Sequence, residues 1–463
     1  VTDTRLTTTE RFLRLFTEVR PGEGRTAMLM FVNVFLILCA YYFIKPLREG
    51  WIAVSGIPNL TKMEVKAYSS FGQSVLLVFV VMGYSKLADR WTRSQLITWA
   101  TVFCMSNMVV FWLLQPGAFL DGLPGSGVIF YLWVGLFGVF VVAQFWAFAA
   151  DLYSDERGRR LFPVIAIGAT GGAASGSWIT EKLVASPVLG TESLLLVALV
   201  PLAASIYLTR LADRRGPVGG GSAPPPPKKV SAPAGGNAGA LRLVMNDRFL
   251  LSVAAITLLL SWVNTNGENL LFRVIQEHLE HVAVGEGITE PDALIAFTRD
   301  GTTAFYGDFY LWVNIVALAL QAFVASRLLK YGGFGVILLA MPVVALLSYG
   351  AMALIPALAI VKMMKIAENS TDYSINNTAR NVLWLPTSSE MKYKAKPAID
   401  TFFVRTGDGL AALTVLIGVQ VLTLTTAMFF VVNVGLVLLW LAMCVPVIRG
   451  HRALAEAAAE ESA

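Results

Sequence analysis

The chain has 463 residues, of which 56% are hydrophobic and 14% charged, against roughly 25% charged in a typical soluble domain. Mean hydropathy is +0.64, which excludes a soluble globular protein and predicts an all-α integral membrane protein. The formal net charge of +5 does not call for nucleic acid as a partner, because the cations follow the loops between apolar runs.

Apolar runs of about 20 residues recur along the chain, each long enough to cross a hydrocarbon core of about 30 Å with its backbone hydrogen bonds satisfied internally. In chain order the spans are expected near residues 27–46, 67–88, 94–115, 127–150, 161–184, 190–210, 248–270, 303–327, 333–354, 356–379, 398–421 and 425–448, twelve in all. The first span is expected to act as its own targeting signal. Arg5, Arg11, Arg14, Arg20 and Arg25 precede it, Lys86, Arg90 and Arg93 follow the second span, and Arg157, Arg159 and Arg160 follow the fourth. With Arg449 and Arg452 after the last span, this bias puts both termini in the cytoplasm of a multi-pass cell (inner) membrane protein. Cys39, Cys104 and Cys444 fall inside spans, where a free thiol acts as a small apolar group.

Residues 1–26 form an N-terminal cytoplasmic segment and 449–463 a cytoplasmic tail. Between the six-span stretches 27–213 and 241–448 lies "RRGPVGGGSAPPPPKKVSAPAGGNAGA", a flexible linker over 214–240 without hydrophobic periodicity. The halves echo one another. "SKLADRWTR" after the second span corresponds to "SRLLKYGG" after the eighth, and Glu156, Arg160 and Pro163 correspond to Glu390, Lys394 and Pro397 at one constant offset. Two parallel six-helix repeats around a cavity are the architecture of major facilitator transporters. "SKLADRWTR" partly matches the loop motif of that superfamily, with Ser85 and Thr92 in place of two glycines. The match makes Asp89, Arg90 and Arg93 conformational-switch candidates; an ordinary basic inside loop is the equal alternative. In the fifth span Gly168, Gly172 and Gly176 stand four apart, an interval that lets helix backbones approach closely. No Walker-type phosphate loop occurs, so a gradient is the expected driving force.

Each ionisable side chain at mid-bilayer costs roughly 2.5–3.5 kcal/mol on insertion scales. In the tenth span Lys362, Lys365, Glu368, Asp372, Asn376 and Arg380 fall within an arc of about 120° on one helix face. Lys45, Arg48 and Glu49 close the first span, and Gln144 and Asp151 lie seven apart on the fourth. Asn264 and Glu268 lie four apart on the seventh, and Thr401, Arg405 and Asp408 share a face of the eleventh. These charges either pair only with one another or line a cavity for a large anionic solute whose phosphates displace internal ion pairs. Tyr41, Tyr42, Asn264, Asn266, Asn376 and Trp384 could then meet a sugar or base. His278 and His281, placed in an external loop, form H-x-x-H; an interfacial amphipathic turn is favoured over a metal site.

"YYFIKPLREGW", "QFWAFAADLYSDERGRRLFPVIAIGATGG" and "YSINNTARNVLWLPTSSEMKYKAKPAIDTFFVRTGDG" resemble the ATP/ADP translocase family, the nucleotide antiporters of plastids and obligate intracellular bacteria, and more closely its bacterial NTP/NDP exchange relatives. The resemblance runs from the first to the eleventh span and is strongest from Tyr373 to Asp408. It implies exchange of adenine nucleotides and four essential intramembrane charges. By motif position these are Arg48, Asp151, Glu268 and Asp408. The first three keep the family's sign; the fourth reverses it, with Arg405 three residues away to supply a cation.

The resulting expectation is a non-enzymatic secondary transporter of nucleotides or related phosphorylated anions. Lys45, Arg48, Lys362, Lys365 and Arg405 would bind phosphate, and Asp151, Glu268, Glu368 and Asp408 would pair with them when the site is empty. Glu368 and Asp372 would couple binding to movement. The expected partners are a small anionic solute and the lipid bilayer, with the monomer as the working unit and neither cofactor nor metal. The alternative is a proton-coupled carrier of a lipid precursor, siderophore or drug, in which Asp151, Glu268 or Asp408 binds the proton.

Overall fold

A computed structural model describes residues 20, 23–88, 93–115, 125–153, 155–186, 190–215 and 236–460. The first six membrane-length helices are α1 (Gly24–Ala53), α2 (Lys62–Ala88), α3 (Arg93–Leu113), α4 (Ser126–Leu152), α5 (Asp155–Val184) and α6 (Leu194–Arg215). A short helix, α7 (Gly236–Asn246), begins inside the stretch read as linker and leads into α8 (Arg248–Gly285). The side chain of Asp247 caps α8 by accepting from the Leu250 N–H at 2.9 Å.

Beyond it come α9 (Pro291–Leu320), a π-helical stretch Gln321–Ala325 and α10 (Ser326–Leu354). The true break in this run is Gly333, whose φ of 68° lies in the left-handed region that glycine occupies without a Cβ clash. Next are α11 (Leu358–Thr371), a π stretch Asp372–Asn376 and α12 (Asn377–Leu383). The rod over 391–421 contains α13 (Val404–Leu416) with π stretches on both sides, and α14 (Thr426–Glu460) closes the chain. With rods counted through their π stretches and divided at Gly333, the described residues contain twelve membrane-length helices.

Eight apolar stretches among the described residues are long enough to cross a membrane by length and composition. The rod 358–383 falls outside that set, as its Lys362, Lys365, Glu368, Asp372 and Arg380 dictate. Large apolar side chains such as Phe79, Phe103, Val200 and Leu347 are exposed, as contact with hydrocarbon requires. Several helices overrun the expected spans, notably α8 and α14, because their amphipathic ends continue the backbone hydrogen bonding beyond the apolar run.

The chain divides into two compact units: 1–57, 76–228 and 289–314 in one, 58–75, 229–288 and 315–463 in the other. Within the first, α1 packs against α4, α5 and α6, and α3 against α6. Within the second, α8 packs in the same order against α11, α13 and α14, and α10 against α14. The same neighbour pattern repeats in parallel.

The glycine stripe does what its spacing predicts. A Cβ on Gly168 would lie 2.7 Å from the Phe31 carbonyl oxygen, on Gly172 2.2 Å from that of Phe35, and on Gly176 2.5 Å from that of Cys39. In the second unit Gly407 meets α8 likewise, 2.6 Å from the Leu258 carbonyl. Pro46 inside α1 removes the donor for the Tyr42 carbonyl, and Thr180 of α5 places its hydroxyl 3.1 Å from that oxygen. At the start of α1, Glu23 receives Arg160 of α5 at 3.0 Å and Arg157 at 3.3 Å.

The two adjacent glycines separate close packing from helix propensity. Gly172→Ala should lower stability by about 1–3 kcal/mol through overpacking. Gly171→Ala, whose new methyl meets only Phe35 ring carbons at 3.7 Å, should be neutral or stabilising. Thermal unfolding of the two variants in detergent checks this; equal melting temperatures would refute the close α1–α5 approach.

Candidate functional site

In the second unit the charged stripe of α11 faces α8. Lys365 and Glu368 are fully buried, and their side chains meet at 2.6 Å, one helical turn apart as the i, i+3 spacing allows. Lys365 Nζ also lies 3.5 Å from Glu268, whose side chain is 27% exposed. Tyr349 of α10 donates its hydroxyl to Glu368, 2.9 and 3.0 Å from the two oxygens, and Asn369 donates to Glu268 at 2.9 Å. Lys66 of α2 reaches the Glu268 backbone carbonyl at 3.3 Å and covers the Phe272 ring at 4.6 Å. The sequence pattern gives the pair on α11 and Glu268; Tyr349 and Lys66, from other helices, carry no local signal.

Polar atoms around this cluster lack hydrogen-bond partners: Asn264 Oδ1, Asn269 Nδ2 and Asn369 Oδ1 are buried and unsatisfied. Asn266, fully buried, donates instead to Asn433 of α14 at 2.6 Å. Lys362 is half-buried on α11. Farther along the rod Asn376 donates to Asp372 at 2.6 Å, and Arg380 pairs with Asp400 at 2.8 Å. Asn376, Arg380 and Trp384 line a small pocket with Thr257, Asp400 and Trp440. The stripe thus stays on the α8 side through the π stretch.

Arg405 and Asp408 form a separate cluster. Their side chains pair at 3.0 Å. Asp408 further receives Ser74 of α2 at 2.6 Å and Thr265 of α8 at 2.8 Å, with the Ser261 hydroxyl 2.9 Å away. Arg405 also donates to Ser74 at 2.9 Å. The Asp408 charge is therefore neutralised on its own helix face. Ser74, Ser261 and Thr265 were not legible as its partners, because small hydroxylated residues in spans are common.

In the first unit the cations stand over aromatic rings. Lys45 Nζ lies 3.8 Å from the Tyr310 ring centre and 5.1 Å from that of Tyr42, and Arg48 lies 4.3 Å over Tyr131. Arg48 Nε donates to the buried Glu49 at 3.0 Å. Asp151 is half-buried near the end of α4. Asp89 and Arg90 lie outside the described residues, as does the side chain of Arg93. His278 and His281 are not in a loop: α8 continues through both. His281 Nδ1 lies 2.6 Å from the Glu277 carbonyl oxygen, so its own helix engages it.

No family model matches the chain. Over 161 residues it is 24% identical to ADP,ATP carrier protein 1 of Chlamydia pneumoniae, and the match covers 29% of this chain and 31% of that carrier's length. Likeness over the whole chain is to solved structures. An auto-inhibited POT family peptide transporter superposes with a TM-score of 0.62 at 14% identity, covering 92% of this chain and 97% of the other. The nucleoside transporter NupG superposes with a TM-score of 0.56 at 13% identity, covering 93% and 99%. The fold is major facilitator-like. The protein is all-α and integral to the membrane, and its described residues form twelve membrane-length helices in two pseudo-symmetric halves, as the sequence leads one to expect. The matched proteins are named as a carrier and as transporters, none as an enzyme.

The Lys365 cluster gives a double-mutant test. Lys365→Met leaves Glu368 and Glu268 facing each other and should cost about 3–5 kcal/mol, the usual penalty for orphaning a buried charge. Adding Glu368→Leu should recover a large part of that loss. Denaturant unfolding of the single and double variants checks it, and additive losses would show that the pair is not energetically coupled.

Proposed function

We propose that the chain is a secondary carrier that exchanges nucleotides or related phosphorylated anions across the inner membrane, with both termini cytoplasmic and the monomer as the working unit. The observation that carries this reading is Lys365, a fully buried ammonium held by Glu368 and within reach of the partly exposed Glu268. A lone structural ion pair needs one carboxylate. A cation with two, one of them open to solvent, is placed to be handed to an incoming anion, and a phosphate offers the charge and oxygens to take it.

Lys45 and Arg48 would serve phosphate in the first unit, and Lys362, Lys365 and Arg405 in the second. Asp151, Glu268, Glu368 and Asp408 are the counter-charges of the empty state, and Asp372 couples binding to movement. Asn264 and Asn376 are offered to the sugar or base. The Arg405–Asp408 pair is neutral as a unit, so the eleventh helix contributes hydrogen-bonding polarity more than net positive charge. The limited likeness to a protein named as an ADP,ATP carrier supports the nucleotide class. Residues 27–213 and 241–448 are the two moving halves, 214–240 connect them, and 1–26 and 449–463 lie in the cytoplasm. Asp89, Arg90 and Arg93 are the switch residues of the first half.

Labelled ATP offered to proteoliposomes tests the reading. Uptake should be fast into vesicles loaded with ADP and slow into empty ones. Lys365→Gln should raise the apparent KM for ATP by about 10-fold or more, since a hydrogen bond to a charged group contributes about 1.5–3 kcal/mol. Absence of uptake under both conditions, with other nucleotides equally inert, would refute exchange. Uptake of another solute that collapses with a protonophore would favour the proton-coupled alternative.

A further inference from the structure

The two carboxylates that share Lys365 have unequal surroundings. Glu368 is fully buried, and its donors are Lys365 at 2.6 Å and the Tyr349 hydroxyl at 2.9 Å. Glu268 is the member open to solvent, with 27% of its side chain exposed. Other charged groups near the cluster are Lys66 from α2, held on the Glu268 carbonyl, and Asp372 one turn on, which accepts from Asn376. Gly267 makes the arrangement possible. A Cβ there would lie 1.9 Å from the Tyr349 hydroxyl and 2.9 Å from Lys365 Nζ, so bare backbone is what admits both groups.

We propose that Glu368 is a proton-binding group of the carrier, loaded when the solute's phosphate takes Lys365. The inference rests on the phosphorylated-solute reading above. A phosphate reaching the cluster from the Glu268 side draws the ammonium away from Glu368, which keeps only the neutral Tyr349 hydroxyl. An ionised carboxylate so buried is far less stable than its protonated form. A proton from water therefore bonds to a Glu368 oxygen; no other bond forms or breaks, and no electron is transferred. The proton offsets one of the anion's charges, and both travel together. Tyr349 is a positioning residue, since its oxygen can donate to the carboxylate and accept from the carboxylic acid.

Calorimetry of ATP binding to the purified full chain, in two buffers of different ionisation enthalpy, reads the proton directly. Wild type should take up about one proton per ATP bound, with affinity falling by up to about tenfold per pH unit, as linkage to a single proton requires. Glu368→Gln should bind ATP with no proton uptake. Tyr349→Phe, which removes a donor to the ionised form, should shift the pH dependence upward; a purely structural tyrosine would lower the melting temperature and leave the pH profile in place. ATP binding without proton uptake in wild type, or uptake unchanged in Glu368→Gln, overturns the proposal and leaves the transport reading intact. If Glu368→Gln does not fold, an unmoved pH profile in Tyr349→Phe overturns it. An absence of binding by ATP, ADP and other nucleotides overturns both.

Discussion

An ionised group inside a bilayer persists where an opposite charge, an aromatic face or another polar group stands beside it. Lys365 with Glu368, Arg48 with Glu49, and Arg405 with Asp408 each meet that condition by contact at 3.0 Å or less. Such pairs add little net stability, because desolvation offsets most of the attraction, yet removing one partner is costly. On the proposed function, such pairs hold cations in reserve at depth, each to be released to a solute that brings its own negative charge.

The scaffold that holds these pairs is the same device made twice. The first helix of each half is the hub, with three neighbours packed against it in matching order. Close approach to the hub depends on missing side chains: Gly168, Gly172 and Gly176 against α1, and Gly407 against α8. At Gly267 the same absence admits a hydroxyl and an ammonium instead of a backbone. Small residues therefore serve packing in one place and electrostatics in another, and only the neighbours tell them apart.

Much of this was legible in the sequence because it is local. Apolar run length gives the helices, four-residue glycine spacing gives the close contact, and i, i+3 spacing gives the Lys365–Glu368 pair. What was not legible is what arrives from a distance. Tyr349 is nineteen residues from its carboxylate, and Ser74 is 334 residues from Asp408. Neither carries a spacing signal. The H-x-x-H motif misled in the other direction: two histidines past the seventh apolar run suggested a loop, whereas α8 simply continues through them.

The π stretches have a consequence of their own. A π turn closes its hydrogen bonds one residue farther along than an α turn, so each is a place where a helix accommodates an additional residue without breaking. The rod over 391–421 has three of them, Met391–Ala395, Ile399–Phe403 and Ile417–Val421, flanking the segment that carries Arg405 and Asp408. A single-residue insertion or deletion, ruinous in most buried helices, can be absorbed here as a change of winding. Over evolutionary time this lets the polar residues of α13 be re-aimed by a change in length, with no exchange of the charged side chains themselves.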